Sequence, residues 1–347
     1  MNKKDYSEVF DCFKRIDKNI IWFDKDYLGK GAFGEVRKCI YRNKLCAAKL
    51  VEKEKCGKIQ PERLRGKNLI EIIKISEAIV TYTSYNLIIM EYAPLGSLRK
   101  FFSNFFELKL TKTINFPFEE IVGNNFLRFI IKQIVNGMEI LERNEFVHFD
   151  IKPENILITE EFNIKLSDFG FLKDLNKEEE NKIIIPGGTK GYLSPEYYKY
   201  HKEYLENKNM AKKQDYFALG ATIFFMKFNR PLLQYCETQD PQSNNVHVIN
   251  LLQKGIALIK SNLLLEKDFI SFLCSLIEYD PDDRPNFEEI YRNKWLNENS
   301  EEIKEIADSY FRNDERKLII ELLKSDFLIE KKKKNKNIKK SRFKFVK

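Results

Sequence analysis

Residues 146–158, FVHFDIKPENILI, carry an aspartate, a lysine and an asparagine at positions 150, 152 and 155. Together these types suit the transfer of a phosphoryl group, which needs an oriented nucleophile, held metal ions and neutralised charge more than covalent help. Asp150 can accept a hydroxyl proton, Lys152 can neutralise the moving group, and Asn155 can ligate a magnesium ion. A second acid, Asp168 in LSDFG, offers the other magnesium ligand, with Phe169 to pack and Gly170 to permit a flip of the backbone. A lone Asp or Asn in a loop is usually a turn former; four such groups in this order and spacing carry more weight.

Two further stretches suit phosphate. In LGKGAFGEV, Gly29, Gly31 and Gly34 have G-x-G-x-x-G spacing and precede Val36. Glycines let backbone amides approach a phosphate, although a tight hairpin needs them equally. A dinucleotide fold requires this loop to open a helix, whereas the stretches that follow, VRKCIYR and LCAAKL, read as strands. Lys49 in CAAK can direct its ammonium at phosphates, with Ala47 two residues earlier lying under a flat base. Alone, Lys49 reads as a solvated surface charge.

The elements that must position these groups change character along the chain. Residues 20–55 hold short apolar runs with Gly between them, which suits an antiparallel sheet. From about residue 125 the spacing becomes helical, as in FLRFIIKQIVNGMEILERN. A sheet-rich start and a helical remainder predict two lobes, joined near MEYAPLGSL.

Composition narrows the class. The net charge is +8, but the ten Lys and Arg of residues 331–347 exceed it, so residues 1–330 are left at −2. The basicity belongs to a tail, and no specific nucleic-acid site is expected. Cys12, Cys39, Cys46, Cys56, Cys236 and Cys274 lack CxxC spacing, the N-terminus lacks an apolar signal core, and no apolar run is long enough to span a bilayer. These features predict an intracellular, cytoplasmic protein without a transmembrane segment; the tail is a candidate nuclear-import signal or contact for acidic partners, and a merely solvated tail is the competing reading.

Taken together, the Gly-rich loop, Lys49, HFDIKPEN, SDFG, GTKGYLSPE, DYFALG and DPDDRP resemble the eukaryotic-type protein kinases over residues 22–296. The resemblance implies an α+β, two-lobe fold: a small antiparallel-sheet lobe over about 22–91 and a larger helical lobe over about 96–296. Residues 1–21 become an N-terminal extension, 297–330 a helical C-terminal extension and 331–347 the basic tail. It implies ATP and Mg2+, with Asp150, Lys152, Asn155, Asp168 and Lys49 catalytic, and Asn155 and Asp168 holding metal. Nucleotide contacts are implied for Leu28, Gly29, Lys30, Gly31, Ala32, Phe33, Gly34, Glu35, Val36, Ala47, Lys49, Glu91, Ala93, Ser97 and Leu157. Met90 becomes the gatekeeper, with the backbone of Glu91 and Ala93 reading adenine. Glu196 is expected to pair with Arg284, and Asp215 to anchor the catalytic loop. Lys152 and GTKGYLSPE resemble Ser/Thr enzymes, and the bulky Phe171 implies a preference for Ser. Protein substrates and a monomer are expected.

Three departures matter. Phe149 stands where many members of the family carry an Arg that grips a phosphate on the activation segment, and residues 169–188 contain no Ser, Thr or Tyr. The two absences agree, and they predict an enzyme independent of phosphorylation there, its segment held by KIIIP and by Glu178–Glu180. The helix-C Glu expected to pair with Lys49 has no clear position: Glu62 fits the distance to Met90, Glu71 the distance to Lys49, and a shortened helix with no such Glu is a further reading. Residues 103–125 lengthen the connection after the hinge, and Phe105, Phe106, Phe116 and Phe118 read as a local cluster or a docking surface. The competing functions are a pseudokinase scaffold, for which the unplaced Glu speaks, and a small-molecule kinase, which gives no reason for GTKGYLSPE and Arg284.

Overall fold

The structure, a computed structural model, describes residues 6–30, 34–55, 60–110, 124–177, 183–184, 186–199, 204–205, 207–239, 248–261 and 266–298. Five strands make the small lobe: β1 (Ile20–Lys30), β2 (Gly34–Tyr41), β3 (Lys44–Glu52), β4 (Ile72–Val80) and β5 (Thr83–Glu91). They pair antiparallel in the order β1-β2-β3-β5-β4. Arg42-Asn43 and Thr81-Tyr82, all at positive φ, close the two tightest hairpins. Two-residue turns of that hand match the twist of the strands they join.

Strand periodicity of two then divides the sheet into faces. On β3, Ala47 and Val51 join the core that continues into the large lobe, and Lys49 lies between them on the same face. Cys46, Ala48 and Leu50 point the other way, into a second core. That second core is closed by α1 (Ser7–Ile16), whose Val9, Phe10 and Phe13 are buried on the sheet. Residues 7–16, read from the sequence as part of an extension, are thus a layer of the small lobe.

Among the described residues between β3 and β4 there is no α-helix, only two 3-10 turns, Lys53–Lys55 and Pro61–Arg63. Pro61 and Gly66 bracket too short a run to repay helix nucleation. Instead the segment is tied down by side chains. Asn68 donates to the Ile164 carbonyl at 2.9 Å and accepts from Asn136 at 2.6 Å. Gly137 permits this approach, since a Cβ there would stand 2.8 Å from the Asn68 carbonyl oxygen.

The large lobe opens with β6 (Gly96–Ser97) and α2 (Leu98–Leu110), followed by α3 (Asn124–Arg143) and the short strands β7 (Phe146–Val147), β8 (Ile156–Ile158) and β9 (Ile164–Leu166). After β10 (Lys173–Asp174), β11 (Ile183–Ile184), α4 (Pro195–Lys199) and β12 (Tyr204–Leu205) comes α5 (Lys208–Phe228), buried continuously from Lys213 to Met226. A helix buried all round is a central one. The remaining helices, α6 (Leu232–Gln239), α7 (Val248–Lys260), α8 (Lys267–Leu276), α9 (Phe287–Arg292) and α10 (Lys294–Asn297), complete the lobe. Phe101 and Phe102 at the start of α2 pack with Phe126 and Phe162. The side chains of Phe105 and Phe106, together with Phe116, Phe118 and residues 299–347, lie outside the described residues. Among the described residues no helix is long and apolar enough to cross a membrane.

Candidate active site

The turn between β7 and β8 carries Asp150, Lys152 and Asn155, and hydrogen bonds fix its shape from beneath. Asp215, on α5, accepts the backbone N–H of His148 at 2.7 Å and of Phe149 at 2.9 Å. His148 is fully buried, its Nε2 lies 3.0 Å from the Ser167 carbonyl, and its ring packs 5.7 Å from that of Phe169. Burial lowers the pKa of His148, which favours the neutral ring. Burial, the larger influence, raises the Asp215 carboxyl to about 7 against the pull of its two N–H donors.

Around Asp150 the sequence-predicted groups converge. Lys152 Nζ donates to Asp150 Oδ2 at 2.7 Å, and Asn155 Nδ2 donates to the same oxygen at 2.7 Å and to the Asp150 carbonyl at 2.9 Å. The other carboxylate oxygen, Oδ1, accepts the hydroxyl of Thr189 at 2.6 Å. Lys152 also donates to that hydroxyl, at 2.5 Å. One carboxylate therefore holds an alcohol proton while an ammonium contacts the same oxygen, the arrangement a general base needs towards a hydroxyl nucleophile.

Asp168 follows β9, which pairs with β8, and its neighbour Ser167 donates its backbone N–H to the Asn155 carbonyl. The Asp168 backbone is left-handed, φ 63, and Lys49 Nζ lies 2.5 Å from its Oδ1. Burial alone would push the Asp168 carboxyl up; the Lys49 ammonium outweighs it and holds the group below the ordinary carboxylate value. Asn155 commits its amide N–H to Asp150, which leaves its carbonyl oxygen directed elsewhere. That oxygen and the carboxylate of Asp168 are each oxygen donors of the kind Mg2+ takes.

The resemblance-based nucleotide residues take several places. Val36 stands opposite Lys49 in the β2–β3 register, and Ala47 opposite Met90. Leu157 pairs with Ser97 across β8 and β6, while Glu91 ends β5 and Ala93 is buried two residues later. Leu28 is 43% exposed, and nothing stands within 4 Å of where a Cβ on Gly29 would be. Gly34 has a different reason to be glycine: a Cβ would come 1.7 Å from the Leu50 carbonyl oxygen on β3. The side chains of Lys30 and Glu35 engage Tyr6 and Arg37 on the α1 side of the sheet. Gly31, Ala32 and Phe33 lie outside the described residues.

Neither candidate glutamate is brought to Lys49. Glu62 is exposed on a 3-10 turn, and Glu71 lies 3.8 Å from Lys44. Besides Asn68, Arg63 couples this segment to the large lobe, and motif spacing did not single it out. Its guanidinium pairs with Asp174 at 2.7 Å, donates to the Asn144 carbonyl at 2.6 Å, and lies 4.2 Å from the Phe146 ring centroid.

Phe149 is 1% exposed at φ 62 and shares a buried cluster with Val147, Leu175, Ile183 and Ala211. Leu175 and Ile183, the latter from KIIIP, belong to the segment after Asp168, so the cluster joins Phe149 to that segment. Glu178–Glu180 lie outside the described residues. Deeper in the lobe, Arg284 makes two 2.7 Å bonds to the carboxylate of Glu196, and Lys213 donates to the Arg284 carbonyl.

Comparison with known proteins agrees with this geometry. A family model described as protein kinase domain matches residues 22–296. The chain is 29% identical over 306 residues to the human hormonally up-regulated neu tumor-associated kinase, covering 84% of this chain and 38% of that protein. It is 27% identical to the Aurora kinase of Saccharomyces cerevisiae, over 78% of this chain and 67% of that one. It is 25% identical to serine/threonine-protein kinase 17A of Oryctolagus cuniculus, over 79% of this chain and 65% of that one.

Proposed function

The chain belongs to the protein kinase family, and from that premise we propose that it transfers the γ-phosphoryl group of ATP to Ser and Thr hydroxyls of proteins, without phosphorylation of its own activation segment. The observation that carries this reading is the Thr189 hydroxyl, held between Asp150 and Lys152. A substrate hydroxyl in that place would give its proton to Asp150 as its oxygen attacks, while Lys152 offsets charge on the incoming group. Lys49 would orient the nucleotide phosphates. Asn155 and Asp168 would hold Mg2+, which supplies charge neutralisation between the phosphates. Asp215 and His148 keep the loop in register and touch no reacting atom.

Independence from phosphorylation is supported by the apolar cluster around Phe149. An Arg at that position would need an anionic partner; Phe149 needs only the methyls of Leu175 and Ile183.

The test is a peptide-library assay of wild type beside Asp150→Ala and Asp168→Asn. Transfer to Ser peptides, with Ser favoured over Thr and a loss of about a thousandfold or more in both variants, is the expected result. Phosphatase-treated enzyme should keep its initial rate within about twofold, or about 0.4 kcal/mol in barrier. A tenfold loss, restored by rephosphorylation of Thr189 or Tyr192, would refute the independence. A second reading, a nucleotide-binding scaffold, is favoured by the exposed position of Glu62. Binding of ATP and Mg2+ without transfer to any peptide would select it.

A further inference from the structure

The two limbs of the glycine loop are gripped from behind. Lys30 ends β1 and pairs in register with Glu35 near the start of β2, one step outside the Gly29–Val36 pair. Val36 lies opposite Lys49, whereas Glu35 and Arg37 lie opposite Leu50 and Ala48, whose side chains belong to the core beneath α1. Cross-strand partners point to the same face, so Lys30, Glu35 and Arg37 all rise on the α1 side of the sheet.

There each limb meets an aromatic ring of α1 or of the residue that precedes it. The Lys30 ammonium lies 5.1 Å from the centroid of the Tyr6 ring. Arg37 pairs with Glu35 at 2.7 Å, and its guanidinium lies 4.1 Å from the centroid of Phe10. Phe10 is fully buried and packs edge-on against Trp22, while Tyr6 packs edge-on against Tyr85. Each ring thus contacts both an aromatic residue of the sheet and a cation on a strand that flanks the loop. Both residues precede the span matched by the kinase family model.

A glycine-rich loop has few side chains with which to set its own height above the cleft. Its limbs, Gly29–Lys30 and Gly34–Arg37, belong to β1 and β2. We infer that α1 and Tyr6 position the nucleotide loop, with Tyr6 holding Lys30 and Phe10 holding the Arg37–Glu35 pair. The inference rests on the reading of the cleft as an ATP site. Tyr6 and Phe10 are positioning residues, since they lie behind the sheet and touch no reacting group.

The test uses the full chain and compares Tyr6→Leu, Phe10→Leu and Tyr6→Phe with wild type. The measurements are KM for ATP, KM for peptide, kcat, Kd for ATP with Mg2+, and Tm. Loss of a ring face under a cation should raise KM and Kd for ATP about three- to tenfold, with kcat and peptide KM within about twofold. Tyr6→Phe keeps the ring face and should match wild type. A merely structural role would lower Tm and leave KM for ATP in place. Unchanged KM for ATP in Tyr6→Leu, or Tyr6→Phe behaving like Tyr6→Leu, overturns the inference; if Phe10→Leu fails to fold, the two Tyr6 variants decide. Wild type that binds no ATP with Mg2+ overturns the reading of the cleft and, with it, the inference. Wild type that binds ATP normally beside an unchanged Tyr6→Leu overturns the inference alone.

Discussion

Asp215 directs two backbone donors with one carboxylate, and an amide in its place cannot do the same. Asn offers one acceptor oxygen, and its NH2 group would face the second donor, leaving a buried N–H unpaired at a cost of about 1–3 kcal/mol. Asp215→Asn is therefore expected to lower kcat about 10- to 100-fold, with Tm reduced but the fold retained. Steady-state rates beside a thermal melt check this. A second residue-scale expectation concerns Asp17. A hydrogen bond from Lys74, opposed by burial and helped by the N–H groups of Asn19, holds the Asp17 carboxyl at about 2, below its ordinary 3.8. Because the folded value is the lower one, this stabilisation is complete above 3.8 and is lost as pH falls through about 2. Lys74 is 37% exposed, so after screening Asp17→Asn should cost about 1 kcal/mol at neutral pH. Urea unfolding should show the gap from wild type narrowing below about pH 4. The two cases differ in how far they could be read beforehand. Asp150, Lys152 and Asn155 occupy six consecutive residues, so one turn keeps them together. Asp17 and Lys74 meet only because the end of α1 is laid on β4, a contact with no local signature.

At the scale of elements, the segment between β3 and β4 does the work of a helix without forming one among its described residues. Arg63 reaches Asp174, Asn144 and Phe146 at once, so it joins the small lobe to the strand that follows Asp168. Burial raises the Asp174 carboxyl, and Arg63 with Lys177 more than reverses that, leaving it below its ordinary value. Arg63→Ala should reduce kcat/KM about tenfold, since it unties two segments that flank Asp168 and removes one partner of a charge-assisted pair. Glu62→Ala should leave kcat/KM within about twofold, because an exposed carboxylate one residue away contributes little. Equal effects of the two substitutions would contradict this division of labour. The sequence registered the anomaly but not its solution. Glu62 and Glu71 each met one spacing and failed the other, and among the described residues no α-helix stands between β3 and β4 to define those spacings; Arg63 gave no signal because its partners lie in another lobe. Gly34 shows the same limit: its spacing suggested phosphate, and its backbone neighbour Leu50 supplies a second reason for glycine.

For the whole molecule, the two lobes were legible in the change of periodicity near residue 125 and in the Pro-Gly hinge, because each lobe is built from local elements. The extent of the small lobe was less so. Residues 7–16 read as an extension, yet Val9, Phe10 and Phe13 close a core that contains residues of all five strands. Burying each such side chain stabilises by about 1.5–3 kcal/mol, and the sum approaches the net stability of a whole domain. Deletion of residues 1–18 should therefore give insoluble or molten protein, checked by yield, near-UV circular dichroism and Tm. The Phe149 cluster limits what position 149 accepts. At 1% exposure and φ 62, position 149 accepts no charge unless an anion arrives with it, so Phe149→Arg alone should cost at least about 100-fold in activity, more than about 2.7 kcal/mol. Ile183→Glu alone would bury an acid in the same cluster and should also be costly. The double variant should recover a good part of the loss, giving a coupling of about 1–3 kcal/mol in a double-mutant cycle. Additive losses would show the two positions to be independent. If they couple, the apolar seat and the charged one are separated by a valley that no single substitution at either position crosses.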